Sequence, residues 1–413
     1  MVTARRAAAP VAALILGGVL ASAAPAAPVD PDTAPRLEGA NAAILMSGSG
    51  EVLYTRLPDR RRAIASTTKL MTALLALERA EPSARFTAPA YDPLPAESRI
   101  GLRRGERMSV SDLLRALLLE SANDAAVTIA RGVSGSRAAF VRAMNARARE
   151  LGLDDTHYAN PIGLDAAGNY SSARDLADLA RRLLRNPRFA RIVSRSSATL
   201  ATGDRPRTVR NRNTLVSSTR IVDGVKTGHT RAAGDVLVGS ATGPQGIRIV
   251  SVVLGEPGPA ARDADTVALL RYGLAQFKRV RVLDATKPLA RAEVRYRGDL
   301  RAGLVPKEDF FAVVRRGERV RTRVEAPERV DGPLPAGARL GSVSVLYRGR
   351  RLQTIPLVTA ADVPGAGPLR VVTSTLGVPL TLLLALGMLG ALALAGLRAR
   401  TVYRRGHPTT PSR

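Results

Sequence analysis

The chain has 413 residues, no cysteine and a formal net charge of +27, with 57 arginines against five lysines. This length can hold two domains with separate cores, and the missing cysteines exclude disulfide bonds and thiolate metal sites. The charge either reflects an arginine-rich coding bias or favours polyanions such as anionic lipid and acidic wall polymers. Nucleic acid is disfavoured, because the arginines are scattered, aromatic residues are few and no nucleic-acid-binding module is recognised.

The N-terminus has the three-part pattern of a secretory signal peptide. Arg5 and Arg6 precede an apolar stretch over residues 7–20, and small residues follow at 21–26. This order of positive charge, apolar segment and small residues is typical of exported proteins. We therefore predict a signal peptide at residues 1–26 and export of the mature chain.

Strand patterns bracket a long helical region in the first part of the mature chain. Residues 42–46 and 51–55 indicate a hairpin, and residues 235–240 and 247–254 indicate two later strands before a helix at 261–277. Helices between them are predicted to begin at serines with capping potential, namely Ser109, Ser136 and Ser172. The pattern predicts an α/β domain at residues 36–277, with strands around a helical insert.

The rest of the chain shows two further patterns, a β-rich region and then an apolar run. Short alternating stretches, such as 320–324 and 343–347, are broken by Gly and Pro turns and predict a small all-β domain at residues 278–363. A linker is predicted at 364–375. It leads to an apolar run at 376–397, which carries no charged residue.

That apolar run predicts a transmembrane anchor. Its roughly 22 residues would span about 33 Å as a helix, enough to cross the hydrocarbon core of a bilayer. Arg398, Arg400, Arg404 and Arg405 follow directly, and such clusters mark the cytoplasmic side of a span. We predict a cytoplasmic tail at 398–413 and a single-pass cell-membrane protein whose other domains are extracytoplasmic.

Two of the five lysines lie in short motifs with chemical potential. A lysine can lose its proton when it is desolvated, whereas arginine stays charged at any working pH. Lys69 follows Ser66 by three residues at a predicted helix start, so that its amine and the serine hydroxyl face the same side. The helix dipole and a second ammonium nearby would both lower the pKa of Lys69, which makes it a candidate general base for Ser66.

Two further motifs complete an ordered set. Ser121-Ala122-Asn123 follows an apolar helix, where a hydroxyl and a carboxamide can project from a loop into a cleft. Lys226-Thr227-Gly228 comes before the later strands, and a glycine on an edge strand lets a ligand backbone approach closely. The cation and hydroxyl there are suited to binding a terminal carboxylate.

These three motifs, in this order, resemble those of the serine D-alanyl-D-alanine carboxypeptidases among the low-molecular-mass penicillin-binding proteins. Residues 160–165, 170–175 and 223–230 also resemble segments of that family. The resemblance covers residues 41–277. It implies a penicillin-binding-protein or serine β-lactamase-like fold with an antiparallel sheet and a helical insert. It also implies membrane attachment, although a true span replaces the amphipathic helix common in the family.

The resemblance also implies a role for each motif residue. Ser66 would attack the D-Ala-D-Ala carbonyl of a peptidoglycan stem peptide, Lys69 would accept its proton, and Ser121 would pass a proton to the leaving D-alanine. Asn123 would orient the substrate amide, and Lys226, Thr227 and Gly228 would bind the carboxylate end. The backbone N–H groups of Ser66 and His229 would form the oxyanion hole. No metal or cofactor is implied, and β-lactam antibiotics would act as covalent inhibitors.

Several alternatives share parts of this pattern. A DD-endopeptidase acting on peptide crosslinks would use the same residues, and a non-catalytic wall-binding protein on the same scaffold would rely on the positive charge. A β-lactamase is disfavoured because no Glu-x-x-Leu-Asn segment lies between Asn123 and Lys226. A zinc peptidase is disfavoured because the three histidines show no paired spacing.

Overall fold

The computed structural model describes residues 30–243 and 246–406, the last three of these by their backbone alone. The predicted signal peptide at 1–26 and the end of the predicted tail lie outside the described residues. In chain order, the elements of the first region are β1 (Ala42–Ser47), β2 (Val52–Arg56), α1 (Lys69–Arg79), β3 (Arg85–Thr87), β4 (Arg107–Ser109), α2 (Val110–Arg115), α3 (Asn123–Ser134), α4 (Arg137–Glu150), α5 (Ala173–Leu184), α6 (Pro187–Val193), β5 (Ser197–Leu200), β6 (Arg207–Arg210), α7 (Leu215–Ser218), β7 (Val222–Thr230), β8 (Gly234–Thr242), β9 (Arg248–Glu256) and α8 (Pro259–Ala275).

An antiparallel sheet organises this region, with strand order β2-β1-β9-β8-β7 in the described part of the chain. The helices between β2 and β7 form the predicted insert, so the predicted fold class is confirmed. Strand β7 lies at one edge of the sheet, with no strand beside its outer side in the described part of the chain. The edge strand that the sequence predicted for Lys226-Thr227-Gly228 is therefore β7, which contains all three residues.

Both faces of the sheet are covered, as the alternation along β1 shows. Ile44 and Met46 join the core that includes the helical insert, whereas Ala43 and Leu45 join the core under α8. Successive strand residues point to opposite faces, and here each face meets a helical layer. This explains why all six residues of β1 are buried.

The predicted helix caps are present. Ser109 accepts a hydrogen bond from the Asp112 N–H at 3.2 Å, and Ser136 and Ser172 each accept one at 3.1 Å from the N–H three residues on. Each bond satisfies a backbone donor that the helix itself leaves unpaired. Capping chemistry in the sequence therefore located these helix starts to within a residue.

The second region is all-β, as predicted. Its strands are β10 (Phe277–Leu283), β11 (Ala290–Val294), β12 (Arg297–Pro306), β13 (Phe310–Arg315), β14 (Arg321–Glu325), β15 (Arg329–Val330), β16 (Arg339–Tyr347) and β17 (Arg350–Thr359). Strand β10 pairs with β13, and the others form a sheet of order β14-β16-β17-β12-β11-β15. The core of this region alternates along the strands, with Val343, Val345, Ile355 and Leu357 all fully buried. The domain boundaries given above stay predictions.

A carboxylate in the first region binds arginines of the second. Glu51, in the turn between β1 and β2, pairs with Arg315 at 2.5 Å and with Arg348 at 2.8 Å. Arg315 is the last residue of β13, and Arg348 lies in the turn between β16 and β17, so these ion pairs connect the two regions.

The predicted linker and span differ from the structure in detail. The linker includes a helix, α9 (Pro368–Leu376), and the apolar helix α10 (Val378–Gly406) begins two residues later than predicted. Gly377 separates them with φ of 78°, a left-handed conformation that glycine adopts at low cost. Of the described residues, only Val378–Tyr403, with a mean hydropathy of 2.3, is long and apolar enough to cross a membrane.

A buried carboxyl on β9 gives a first testable prediction. Glu256 is 1% exposed, and burial together with repulsion from Asp265 raises its pKa to about 8. The native state therefore binds more protons than the unfolded state between about pH 4.5 and 8, so the stability it contributes is lost as the pH rises through this window. We expect Glu256→Gln to flatten the fall in the unfolding midpoint between pH 5 and 8.

Thermal unfolding of the detergent-solubilised chain at several pH values measures this effect. Glu308→Gln, at an exposed carboxylate, is the matched control and should keep the wild-type slope. Equal slopes for wild type and Glu256→Gln would show that Glu256 does not retain its proton in the folded protein.

Candidate active site

Ser66 and Lys69 form a hydrogen-bonded pair at the start of α1. Ser66 belongs to a short 3-10 helix, Ala65–Thr68, that continues into α1 with Lys69 as its first residue. The Lys69 Nζ donates to Ser66 Oγ at 2.9 Å and to the Ile162 carbonyl at 2.5 Å. The three-residue spacing places the amine and the hydroxyl together, as the sequence predicted.

The Lys69 amine is fully buried, and this governs its chemistry. Burial is the main cause that moves the pKa of Lys69 well below its ordinary range, and the nearby charge of Lys226 adds to the effect. Desolvation and the second ammonium were both expected from the sequence, and burial is the larger of the two causes. A lysine in this environment can be neutral and available as a base.

Ser121 and Asn123 lie at the junction of two helices. Helix α2 continues as a π turn over Ala116–Glu120, and Ser121 then adopts a left-handed conformation with φ of 63°. Asn123 is the first residue of α3 rather than a loop residue, which corrects the sequence-based placement. Both side chains are buried, so each is fixed by the packed helices around it rather than by a mobile loop.

Strand β7 places the third motif beside the first. Lys226 is 1% exposed, and its Nζ donates to the Thr227 carbonyl at 2.8 Å. Burial and the charges of Arg212 and Arg262 lower the pKa of Lys226 to about 7. An anionic ligand at this position would raise the pKa of Lys226 and favour its protonated form. The ligand would then be bound by a positively charged ammonium group.

Gly228 allows β7 to lie directly against the 3-10 helix. A Cβ on Gly228 would stand 2.8 Å from the Ser66 backbone nitrogen and 2.9 Å from the Val236 side chain. The backbones of β7 and of Ser66 therefore approach as closely as glycine permits. The next residue, His229, exposes its ring and contacts the Asp235 carboxylate at 3.1 Å through Nδ1.

The predicted segment at 160–165 packs against the 3-10 helix that carries Ser66. The Asn160 side chain accepts hydrogen bonds from the N–H groups of Ile162 and Gly163, which shapes the turn that presents the Ile162 carbonyl to Lys69. Asp165 accepts from the Thr230 hydroxyl at 2.6 Å. This segment thus connects the Ser-Lys pair with the end of β7.

Gly163 gives a second prediction. Its φ is 88°, and a Cβ there would stand 2.0 Å from the Ala65 carbonyl oxygen, next to Ser66. We expect Gly163→Ala to lower the free energy of unfolding by roughly 2–4 kcal/mol, from left-handed strain and overpacking, and to slow acylation at least about tenfold. Denaturant unfolding and the rate of labelling by a fluorescent penicillin measure the two effects.

Gly152→Ala is the matched control, because Gly152 has φ of 68° but open space around its Cβ position. Its free energy of unfolding should fall only by the contribution of left-handed strain, and it should be labelled by the fluorescent penicillin at the wild-type rate. If both variants react at the wild-type rate, contact between Gly163 and the serine helix does not position Ser66.

Two residues that the sequence did not single out also reach the site. The Glu97 carboxylate accepts a hydrogen bond from Asn123 Nδ2 at 2.7 Å, and the Tyr91 hydroxyl donates to the same carboxylate. Neither residue lies in a recognisable motif, and only the three-dimensional fold brings residues 91–97 over the start of α3. Among the described residues, no group of three or more His, Asp or Glu side chains could hold a metal ion.

A serine paired with a buried lysine, beside an edge strand of an antiparallel sheet that carries a second buried lysine, is the arrangement of the active-site serine enzymes of the penicillin-binding-protein class. Residues 30–258 match the D-alanyl-D-alanine carboxypeptidase family, Peptidase S11, and residues 277–365 match the C-terminal domain of penicillin-binding protein 5. The chain belongs to the Peptidase S11 family of D-alanyl-D-alanine carboxypeptidases.

Similar proteins cover both regions. The D-alanyl-D-alanine carboxypeptidase DacF of Bacillus subtilis is 30% identical over 377 residues, 88% of this chain and 97% of its own length. DacD of Escherichia coli is 34% identical over 334 residues, 76% of this chain and 84% of its own length. The crystal structure of penicillin-binding protein 5 from Haemophilus influenzae has a TM-score of 0.57 at 32% identity and covers 80% of this chain and 99% of its own.

Proposed function

We propose that this chain is a penicillin-sensitive serine DD-carboxypeptidase that removes the terminal D-alanine from peptidoglycan stem pentapeptides through an acyl-enzyme on Ser66. The observation that carries this proposal is the 2.9 Å contact between Ser66 Oγ and the fully buried Lys69 Nζ. This pair supplies a nucleophile and a base whose pKa is lowered by burial, and family membership supplies the substrate class.

Acylation begins at Ser66. Neutral Lys69 accepts the hydroxyl proton as Ser66 Oγ attacks the carbonyl carbon of the penultimate D-alanine. A tetrahedral intermediate forms, and its oxyanion is stabilised by the N–H groups of Ser66 and His229. Ser121 passes the proton from Lys69 to the nitrogen of the leaving D-alanine as the peptide C–N bond breaks, so that Lys69 is neutral again and Ser121 keeps a proton. The close approach of Gly228 to the Ser66 nitrogen supports this placement of the oxyanion hole.

Recognition uses the other motif residues. Lys226 and Thr227 bind the terminal carboxylate, Gly228 lets the substrate backbone lie along β7, and Asn123 orients the substrate amide. Because Lys226 has a pKa of about 7, carboxylate binding would draw a proton onto its amine. Water then attacks the ester on Ser66 while Lys69 takes its proton; the ester bond breaks, the shortened peptide leaves with a new carboxylic acid, and Lys69 returns the proton to Ser66 Oγ. A β-lactam would acylate Ser66 in the same way, with its strained amide in place of the peptide bond.

We further propose that a membrane anchor holds this chemistry outside the cytoplasm. Helix α10 is the length and composition of a membrane span, and Arg398 and Arg400 follow its apolar part. With export directed by residues 1–26, α10 would hold the enzyme in the cell membrane as a single-pass protein with Ser66 on the extracytoplasmic side. The all-β region would then lie between the membrane and the catalytic region.

Product masses test the proposal. The detergent-solubilised full chain is incubated with a muropeptide monomer ending in D-Ala-D-Ala and, separately, with crosslinked muropeptide dimers. We expect the monomer to lose one alanine. Conversion of the dimers instead would identify a DD-endopeptidase, and no change in either substrate would favour the non-catalytic wall-binding alternative.

A further inference from the structure

We propose that Glu97 is a positioning residue for catalysis, which fixes the carboxamide of Asn123 in the orientation that receives the substrate. The inference rests on the proposed DD-carboxypeptidase function and extends it to a residue outside the three motifs. Its basis is the 2.7 Å hydrogen bond from Asn123 Nδ2 to Glu97 Oε2 at the half-buried edge of the site.

The Glu97 carboxylate is itself held in place. The Leu94 N–H donates to Glu97 Oε1 at 2.9 Å, and the Tyr91 hydroxyl donates to Oε2. Burial by itself would raise the pKa of Glu97, but the hydrogen bonds from Tyr91, Asn123 and Leu94 together hold it below its usual range. Glu97 is therefore an ionised acceptor with a defined position.

An ionised acceptor determines which way an asparagine side chain points. The two ends of a carboxamide have nearly the same shape, but only the NH₂ end can donate to a carboxylate. Glu97 therefore holds the Asn123 NH₂ group on its own side and directs the carbonyl oxygen away from it. Glu97 accepts one N–H of this NH₂ group, which also lies close to the Tyr91 hydroxyl.

The backbone around Glu97 is anchored independently of its side chain. The Asn123 N–H donates to the Ser98 carbonyl at 2.8 Å, and the Asp124 carboxylate accepts from the N–H groups of Ile100 and Leu102. These bonds tie residues 98–102 to the start of α3. Replacement of the Glu97 side chain should therefore leave the segment folded, which makes substitution informative.

Glu97 also has an electrostatic effect on the Ser-Lys pair. Its charge raises the pKa of Lys69, against the larger lowering by burial and by Lys226. Loss of the carboxylate should therefore move the acidic limb of the acylation pH profile to lower pH, because Lys69 would stay neutral further into acid. A residue with a purely structural role would not shift this limb.

The test uses the detergent-solubilised full chain and measures the second-order rate of labelling by a fluorescent penicillin from pH 5 to 9, with D-alanine release as a second readout. We expect Glu97→Ala to slow labelling roughly tenfold to one hundredfold. Glu97→Gln keeps an acceptor oxygen, so its labelling rate should fall less than that of Glu97→Ala. Both variants should shift the acidic limb downward, while Asp92→Asn, at an exposed neighbour, should behave as wild type.

A double-mutant cycle identifies the route of the effect. If Glu97 acts through Asn123, adding Glu97→Ala to Asn123→Ala should slow labelling little further. Two results would overturn the inference, provided that the wild-type enzyme is active. One is a Glu97→Ala variant that is labelled at the wild-type rate with an unshifted acidic limb. The other is a double variant in which Glu97→Ala slows labelling as much as it does in the wild-type background. An inactive wild-type chain would instead overturn the proposed function.

Discussion

Lys69→Arg is expected to lower the rate of acylation by roughly 10²–10⁴-fold, the range that a positioned general base contributes. The substitution keeps the positive charge and the hydrogen-bonding capacity but removes the ability to lose a proton. The structure places this amine 2.9 Å from Ser66 Oγ in full burial, where the neutral form is favoured. Labelling by a fluorescent penicillin, followed over time, measures the loss.

Arginine is larger than lysine, and the Lys69 site is fully buried, so folding needs its own control. Lys69→Met, which is uncharged and close in length, should be equally inactive while retaining a cooperative thermal transition. Lys278→Arg, at an exposed lysine, should react as wild type. If Lys69→Arg is folded and reacts within about threefold of wild type, proton transfer to Lys69 is not part of acylation.

Ser66→Ala is expected to lower D-alanine release by at least roughly 10³-fold, because the substitution removes the nucleophile of the proposed acyl-enzyme. Substrate binding should change much less. The proposed carboxylate site at Lys226 and Thr227 lies on β7. Removal of the Ser66 hydroxyl leaves that strand intact, because Ser66 belongs to the 3-10 helix. The variant should therefore still bind a D-Ala-D-Ala peptide without converting it.

Two measurements separate these effects. Mass spectrometry of the peptide gives turnover, and calorimetric titration of the inactive variant gives affinity. Ser66→Thr is a further control, because it keeps a hydroxyl but adds a methyl group where β7 and the 3-10 helix approach closely; we expect it to be slow. Undiminished release by Ser66→Ala would place the nucleophile elsewhere.

Much of the fold followed from local sequence signals. Serine caps located three helices, and strand periodicity located β1, β8 and β9, because capping and side-chain alternation act over a few residues. The site motifs were equally local. A serine and a lysine three residues apart face the same side at a helix start, so the Ser66–Lys69 pair could be predicted before any tertiary structure was known.

Other features depend on contacts between distant segments, which no short pattern encodes. The burial that lowers the pKa of Lys69 comes from the 160–165 segment and β7, and the position of Glu97 comes from the packing of residues 91–102 against α3. The sequence also missed that Asn123 begins a helix, because the π turn before Ser121 shifts the boundary. Tertiary packing decides these points.

The most direct test of the central claim is the site of covalent attachment of penicillin. The full chain is labelled, digested with trypsin and analysed by tandem mass spectrometry; cleavage after Arg62 and Lys69 gives a peptide with three hydroxyl residues, Ser66, Thr67 and Thr68. We expect one penicilloyl group, with fragment ions that assign it to Ser66. An adduct on another residue, or no adduct on an active enzyme, would contradict the Ser66 acyl-enzyme.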